Sequence, residues 1–310
     1  MRREGSLFPI GDLKDYLAEI MPKVNKFTGP HWVGRLAISG DGEVEWKMDD
    51  SKIVIRDYPA KDINNKEGAF EIFEMPYKDS TGNTPTGLYI GGVDPIDDDT
   101  STTNSLYSLF IFNTLTDRIV AEYTGRTFDA TDCYELTRRA LVFYNAQALY
   151  ENDKKGLYAY FRNKNCLNLL SDTPEIVRDM DMGTISRIGN KAKGVNSSTK
   201  INSWGRRLQA QWMMHVAYIQ EEDDGPELLN LHKIRSIGYI KEAIAWNSDI
   251  NTDRVSAMGM LMILRADRER LEITMETKEE TLATDNFWDR SYKTKKDFYM
   301  ENSYIEKSYN

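Results

Sequence analysis

Two apolar runs in this chain stop at a carboxylate. Leu88-Tyr-Ile-Gly-Gly-Val leads into Asp94, with Pro95 next and Asp97, Asp98 and Asp99 close behind, and Ala148-Leu-Tyr leads into Glu151. A third acid, Asp253, opens the helix-patterned stretch Asp253-Arg-Val-Ser-Ala-Met-Gly-Met. An acid at the end of a buried strand loses hydration and needs a cation or a hydrogen bond in return. Strand ends that present lone carboxylates are how a fold gathers oxygen ligands for divalent metal ions. Read together, the three acids point to a fold in which strand ends and a late helix start meet.

The rest of the pattern suits such a fold. Leu88–Val93, Leu106–Asn113 and Arg118–Tyr123 read as strands, and the short turn Asn113-Thr-Leu-Thr-Asp117 makes the second and third antiparallel. Thr131 and Asp132 offer N-cap chemistry for a helix with Leu136, Ala140, Phe143 and Tyr144 on one face. A short strand follows at Ala148–Glu151, then a helix near Leu157–Arg162. Strand, strand, strand, helix, strand, helix is the start of a mixed sheet with a crossover connection. Beyond Thr173-Pro174, helices are predicted over Trp204–Ile219, Leu228–Trp246 and Asp253–Arg268.

Upstream, Ile10–Val24 is amphipathic, and residues 31 to 76 alternate around turn signals such as Gly40-Asp-Gly42, as β-hairpins do. The polar stretch Lys78-Asp-Ser-Thr-Gly-Asn-Thr-Pro85 is the best boundary. The expected organisation is a small β-rich lead-in over 1–85, an α/β domain over 86–270 and a polar tail over 271–310.

Composition narrows the chemistry. There are two cysteines, Cys133 and Cys166, and three scattered histidines, His31, His215 and His232, a poor set for a zinc site or a disulfide scaffold. No apolar run approaches the roughly 18 residues of a membrane span, and the N-terminus lacks the apolar core of a signal peptide. A reduced, cytosolic protein is expected. The net charge of −9 argues against nucleic acid until its distribution is read. From Gly183 to Gln220 there is no acid, while Arg187, Lys191, Lys193, Lys200, Arg206 and Arg207 all fall there, and Glu221-Glu-Asp-Asp224 follows at once. This segregation reads either as one basic face on an acidic body or as a solvated loop and helix surface.

Three acids without histidine suit Mg²⁺ or Mn²⁺ better than Zn²⁺. In a two-metal site, carboxylates from different elements hold two cations roughly 3.5–4 Å apart around a phosphodiester. Taken singly, Asp94 reads more readily as a turn former before Pro95, Glu151 as a solvated strand end and Asp253 as an acid favoured by a helix dipole; the order and context of the three together favour the metal reading. Asp97 ranks first among possible extra ligands, ahead of Asp98 and Asp99. Asp249 lies one helical turn before Asp253, and Asn152 and Asp153 are placed to steady Glu151. Met258, Met260, Leu261, Met262 and Leu264 read as core or docking surface.

Residues 87 to 268 resemble the nuclease domain of tailed-phage large terminase subunits. The likeness is carried by Gly92-Val-Asp94-Pro, Ile119-Val-Ala-Glu-Tyr-Thr-Gly-Arg126, Ala148-Leu-Tyr-Glu151-Asn, Thr199-Lys200 and Asn251-Thr-Asp253-Arg-Val-Ser-Ala-Met-Gly-Met. It implies an RNase H-like mixed β-sheet flanked by α-helices. The implied activity is cleavage of double-stranded viral DNA during genome packaging, a phosphodiester hydrolysis with no covalent enzyme intermediate. The implied metal ligands are Asp94, Glu151 and Asp253, holding two Mg²⁺ or Mn²⁺ ions. Lys200 is the candidate for the developing charge, and Lys191, Lys193, Lys200, Arg206 and Arg207 for DNA contact. The implied partners are duplex DNA, the terminase ATPase domain, the small terminase subunit and the portal, in the cytoplasm of the infected bacterial host. One departure stands out: no Gly-x-x-x-x-Gly-Lys-Ser/Thr phosphate loop occurs, so ATP hydrolysis is not expected of this chain. Two rivals remain, an RNase H-like Holliday-junction resolvase or integrase and a non-catalytic module docking on a portal or motor.

Overall fold

The structure is a computed structural model that describes residues 7–25, 32–60, 66–97, 105–180, 192–218, 228–247 and 250–283. Two compact units divide it, Met1–Asp267 and Arg268–Asn310, the second described only over helical residues 268–283.

The first unit is built on one seven-stranded sheet. Its strands are β1 (Trp32–Ile38), β2 (Val44–Met48), β3 (Phe70–Ile72), β4 (Tyr89–Asp94), β5 (Tyr107–Asn113), β6 (Arg118–Gly125) and β7 (Gln147–Tyr150), in the order β2-β1-β3-β6-β5-β4-β7. β4 and β7 run parallel; every other neighbouring pair is antiparallel. The run β6-β5-β4-β7 is the RNase H-like arrangement expected from the sequence. β3 pairs with β6, Phe70 opposite Tyr123, so strands on both sides of the polar stretch 78–85 share one sheet.

Side-chain alternation along the strands divides the interior into two cores. Tyr89 and Val93 of β4, Leu109 and Ile111 of β5, and Ala148 and Tyr150 of β7 pack with α2 (Ala130–Phe143) and α3 (Gly156–Asn163). Ile90, Phe110, Phe112 and Leu149 face the other way. They meet α1 (Ile10–Asn25), α5 (Thr199–Met213), α6 (Ile237–Ala245) and the first turns of α7 (Asp253–Ala283). A short helix α4 (Glu175–Met180) lies between α3 and α5 in the chain. Met258, Met260, Leu261, Met262 and Leu264 are all core, and this part of α7 is apolar around most of its circumference because it is covered on most sides.

Several boundaries differ from the sequence reading, each for a local reason. Asp129, not Thr131 or Asp132, caps α2: its backbone is extended and its carboxylate accepts from the Thr131 N–H at 2.8 Å. Ser198 likewise caps α5, which therefore starts before Trp204 and ends at Met213. Val216–Tyr218 then forms a strand, β8, paired with β9 (Leu228–Leu229). The single helix expected over Leu228–Trp246 is broken. Imidazole Nδ1 of His232 accepts from the Leu229 N–H at 3.0 Å, Asn230–Lys233 form a 3₁₀ turn, and Ser236 starts α6 by accepting from the Tyr239 N–H. Residues 271–283, read as tail, continue α7, and residues 284–310 lie outside the described residues.

A close approach between α7 and β4 sets up the site. A Cβ on Gly92 would sit 2.3 Å from the Ala257 carbonyl oxygen and 2.5 Å from Leu261 Cβ. Only glycine lets α7 press this hard onto β4. We expect Gly92→Ala to cost about 1–3 kcal/mol through overpacking, read as a lower denaturation midpoint with unchanged slope.

Candidate active site

The contact at Gly92 brings two of the three sequence-selected acids to one place. Asp94 lies two residues beyond Gly92 and so on the same face of β4, and Asp253 lies one helical turn before Ala257. The parallel pairing of β4 with β7 puts Val93 beside Tyr150, and the Glu151 N–H donates to the Val93 carbonyl at 3.3 Å. Asp94 and Glu151 are thus adjacent strand ends sharing the face that α7 covers. Asp253 is tied in from a third side. Its Oδ2 accepts from the Leu106 N–H at 2.9 Å, two residues from Ser108, the partner of Asp94 on β5. Its Oδ1 accepts from Asn251 Nδ2 at 2.8 Å, and the same amide donates to Ser105 Oγ at 2.9 Å.

The electrostatics are those of crowded acids short of positive charge. Burial, reinforced by Glu151 and Asp253, raises the Asp94 carboxyl well above the usual range. Burial and Asp153 push Glu151 up to about 7, against a lowering pull from Ser197 and Lys154. Asp253 is raised by burial, with its bonds from Leu106 and Asn251 opposing. Each ionised form is costly as the site stands.

A hard dication fits this donor set, since the ligands are carboxylate oxygens without thiolate or imidazole. Among the described residues, no group of three His, Cys, Asp or Glu side chains is drawn together closely enough to hold an ion as it stands. The three acids are neighbours whose mutual repulsion a cation would relieve.

The other selected residues fall into distinct roles. Asp97 is occupied: its carboxylate accepts from the N–H groups of Lys155 (3.2 Å) and Gly156 (3.1 Å) and from the Tyr134 hydroxyl (3.1 Å), pinning the start of α3 to the end of β4. Asp153 accepts from the Ser197 N–H at 2.6 Å, and Asn152 Nδ2 donates to the Lys193 carbonyl at 2.8 Å, so the turn after Glu151 is held to residues 193–197. Lys193 spends its charge internally, on Asp172 at 2.9 Å and the Leu170 carbonyl at 2.8 Å. Arg206 is half-buried over the Trp246 ring, 5.1 Å from its centroid, while Lys200 and Arg207 are exposed on α5. Lys191, Asp98, Asp99 and Asp249 lie outside the described residues.

Two features escaped the sequence reading. Lys154, in the turn after Glu151, is close enough to lower the carboxyls of both Asp94 and Glu151. Two adjacent lysines in a polar turn carry no local pattern that marks one of them. The second is Arg254, next to Asp253 and only 1% exposed. Its Nε donates to Glu122 at 2.5 Å, a second nitrogen donates to the Ile55 carbonyl, and Glu242 lies 3.7 Å away. Glu242, itself buried, is pushed up to about 8 by burial against the opposing pull of Arg254. A lone acid inside the apolar strand Ile119-Val-Ala-Glu122-Tyr was the available signal, because such an acid demands a buried partner.

Neither protein-family models nor curated proteins match this chain. Crystal structures of the large terminase nuclease from thermophilic phage G20c are similar to it at low identity. One has a TM-score of 0.40 at 8% identity, covering 63% of this chain and 88% of that one. The form with bound zinc gives 0.39 at 10%, covering 63% and 87%. The form with bound magnesium gives 0.34 at 9%, covering 65% and 88%.

Proposed function

We propose that this chain is a metal-dependent endonuclease that cuts double-stranded viral DNA during genome packaging, with Asp94, Glu151 and Asp253 as the ligands of two Mg²⁺ or Mn²⁺ ions. The observation that carries this reading is that carboxylates from the end of β4, the residue after β7 and the start of α7 neighbour one another on one face, all disfavoured as ions without a cation. When bound, the ions supply charge for the attacking and leaving oxygens of the phosphodiester. The chain's own residues do the rest. Leu106 and Asn251 fix the Asp253 carboxylate, the bonds around Asp97 and Asp153 fix the turn that follows Glu151, and Gly92 sets how close α7 comes. Lys154, close enough to bias Asp94 and Glu151, and the exposed Lys200 near the start of α5 are the cations this reading gives to an incoming phosphate. The partners consistent with this role are the terminase ATPase, the small terminase subunit and the portal, in the cytoplasm of the infected host. No helix among the described residues is long and apolar enough to cross a membrane.

The test is incubation of the purified chain with supercoiled plasmid in Mg²⁺, Mn²⁺, Ca²⁺ or EDTA. Nicking and linearisation in Mg²⁺ or Mn²⁺ alone is the expected result. A strong preference for branched substrates would point to a resolvase, and absence of both cleavage and ion binding would point to a docking module.

Ion binding should also depend on pH. The carboxylates must be ionised to ligate, and Glu151 holds its proton up to about 7. Mn²⁺ affinity should therefore climb between pH 6 and 7, up to about tenfold per unit for each proton displaced, and level off above. Calorimetric titration at four pH values checks this; a flat profile would place the ions elsewhere.

DNA contact in this reading falls to the exposed Lys200 and Arg207 of α5, with Lys191 ahead of them in the chain. Each phosphate contact contributes about −0.9 to the slope of log K against log salt. Changing Lys200 and Arg207 to Gln should make the slope shallower by about one to two units in duplex anisotropy measured in Ca²⁺. Lys193→Gln and Arg206→Gln should instead act mainly on stability, since both side chains are engaged within the fold. Lys200→Ala alone should lower single-turnover cleavage more than binding, as expected of a charge acting in the transition state.

A further inference from the structure

The four residues Ile55 to Tyr58, ahead of the RNase H-like strands in the chain, make successive contacts to the elements around the third acid. The Ile55 carbonyl accepts from the Arg254 guanidinium. Arg56 pairs with Glu71 of β3 at 2.8 Å. Asp57 pairs with Lys241 of α6 at 2.7 Å. The Tyr58 hydroxyl donates to the Asn251 carbonyl. Asn251 and Arg254 flank Asp253 on either side, and the Asn251 side chain is itself bonded to the Asp253 carboxylate. Glu242, on α6 beside Lys241, accepts from the Val255 N–H at 3.0 Å. A buried set of Glu71, Glu122, Glu242 and Arg254 joins these contacts beneath.

We propose that Ile55–Tyr58 is a positioning strap for the metal site, acting through Tyr58 on Asn251 and through Lys241 on α6 to hold Asp253 in a ligating orientation. The inference rests on the nuclease reading and extends the working site into the lead-in segment. Its physical basis is that Asp253 sits at the first residue of α7, where no intrahelical bond restrains the approach. Its direction is set by what grips residues 251 to 255. The strap grips both ends of that span, and it belongs to a part of the chain that carries no proposed ligand. Tyr58 is close enough to Asp253 and Glu242 that these acids help burial raise its phenol to about 12.

The test uses the full chain with two substitutions at separate anchors, Tyr58→Phe and Lys241→Met. Partners that orient a metal ligand typically change affinity or activity by about 10–100-fold when removed. Tyr58→Phe should weaken Mn²⁺ binding by calorimetry and lower turnover, each by about tenfold. Duplex affinity in Ca²⁺ should stay constant. Lys241→Met should shift the same two quantities in the same direction. If the parent binds Mn²⁺ and cleaves while both variants match it within twofold, the strap is overturned and the nuclease reading stands. The strap is equally overturned if the variants melt lower yet keep parental Mn²⁺ affinity, a purely structural role. If the parent neither binds Mn²⁺ nor cleaves, the nuclease reading falls and the strap with it.

Discussion

Asp94→Asn, Glu151→Gln and Asp253→Asn should each lower plasmid nicking by about a hundred- to a thousandfold while leaving the circular dichroism spectrum native. The scale is that of removing one preorganised group that acts on developing charge. A structural acid would show the reverse, with activity retained and stability lost. The sign of the stability change makes the test sharper. The Glu151 carboxyl is held up to about 7 against an ordinary 4.5, and Asp94 and Asp253 are raised in the same direction. Between those limits the folded state binds more protons than the unfolded one, so metal-free stability falls as pH rises through that range. Glu151→Gln removes this loss. In EDTA it should melt above the parent at pH 8 and near it at pH 5, with the order reversing when millimolar Mn²⁺ stabilises only the parent. Melting curves at the two pH values, with and without Mn²⁺, suffice. A variant that melts well below the parent at pH 8 in EDTA would remove Glu151 from the site.

Arg254→Met should be the most destabilising single substitution outside the apolar core, by about 3–5 kcal/mol. The guanidinium is buried with Glu122 and Glu242 against it, and the Glu122 Oε2 atom already lacks a hydrogen-bond partner among the described residues. Removing the cation leaves buried acids with nothing to offset their desolvation. Changing Glu122 and Glu242 to Gln in the same chain should recover a large part of the loss, because neutral amides cost less than unpaired carboxylates. Denaturant unfolding of the single and triple variants measures this. Equal midpoints for parent and Arg254→Met would mean that the pair contributes nothing to stability.

How far the sequence alone led can be judged at particular residues. The strands around Asp94 and Glu151 were legible because buried strands are short apolar runs with sharp ends, and the turn Asn113–Asp117 specified one pairing. Asp253 was legible as a helix start. The break inside Leu228–Trp246 was not, since His232 and Ser236 act through hydrogen bonds that compete with a helix only in the folded chain. Nor was the merging of the lead-in with the main sheet, because the pairing of Phe70 with Tyr123 spans a long loop that no local pattern announces. The assignment of Lys193 to a DNA surface came from charge counting, which cannot see that Asp172 lies opposite. Arg254 was masked by its place beside a stronger signal.

The division of the interior by strand alternation has an evolutionary consequence. Asp94, Glu151 and Asp253 all belong to the face covered by α7, while Tyr89, Val93, Leu109, Ile111 and Tyr150 look toward α2 and α3. The packing of Tyr89, Val93, Leu109 and Ile111 against α2 is therefore free to drift or be redesigned, with Tyr134 and Tyr150 excepted because their hydroxyls hold Asp97 and Asn152. Volume-conserving exchanges there change how firmly the scaffold stands without moving a ligand, whereas the opposite face, down to the absent side chain of Gly92, must vary in concert or not at all.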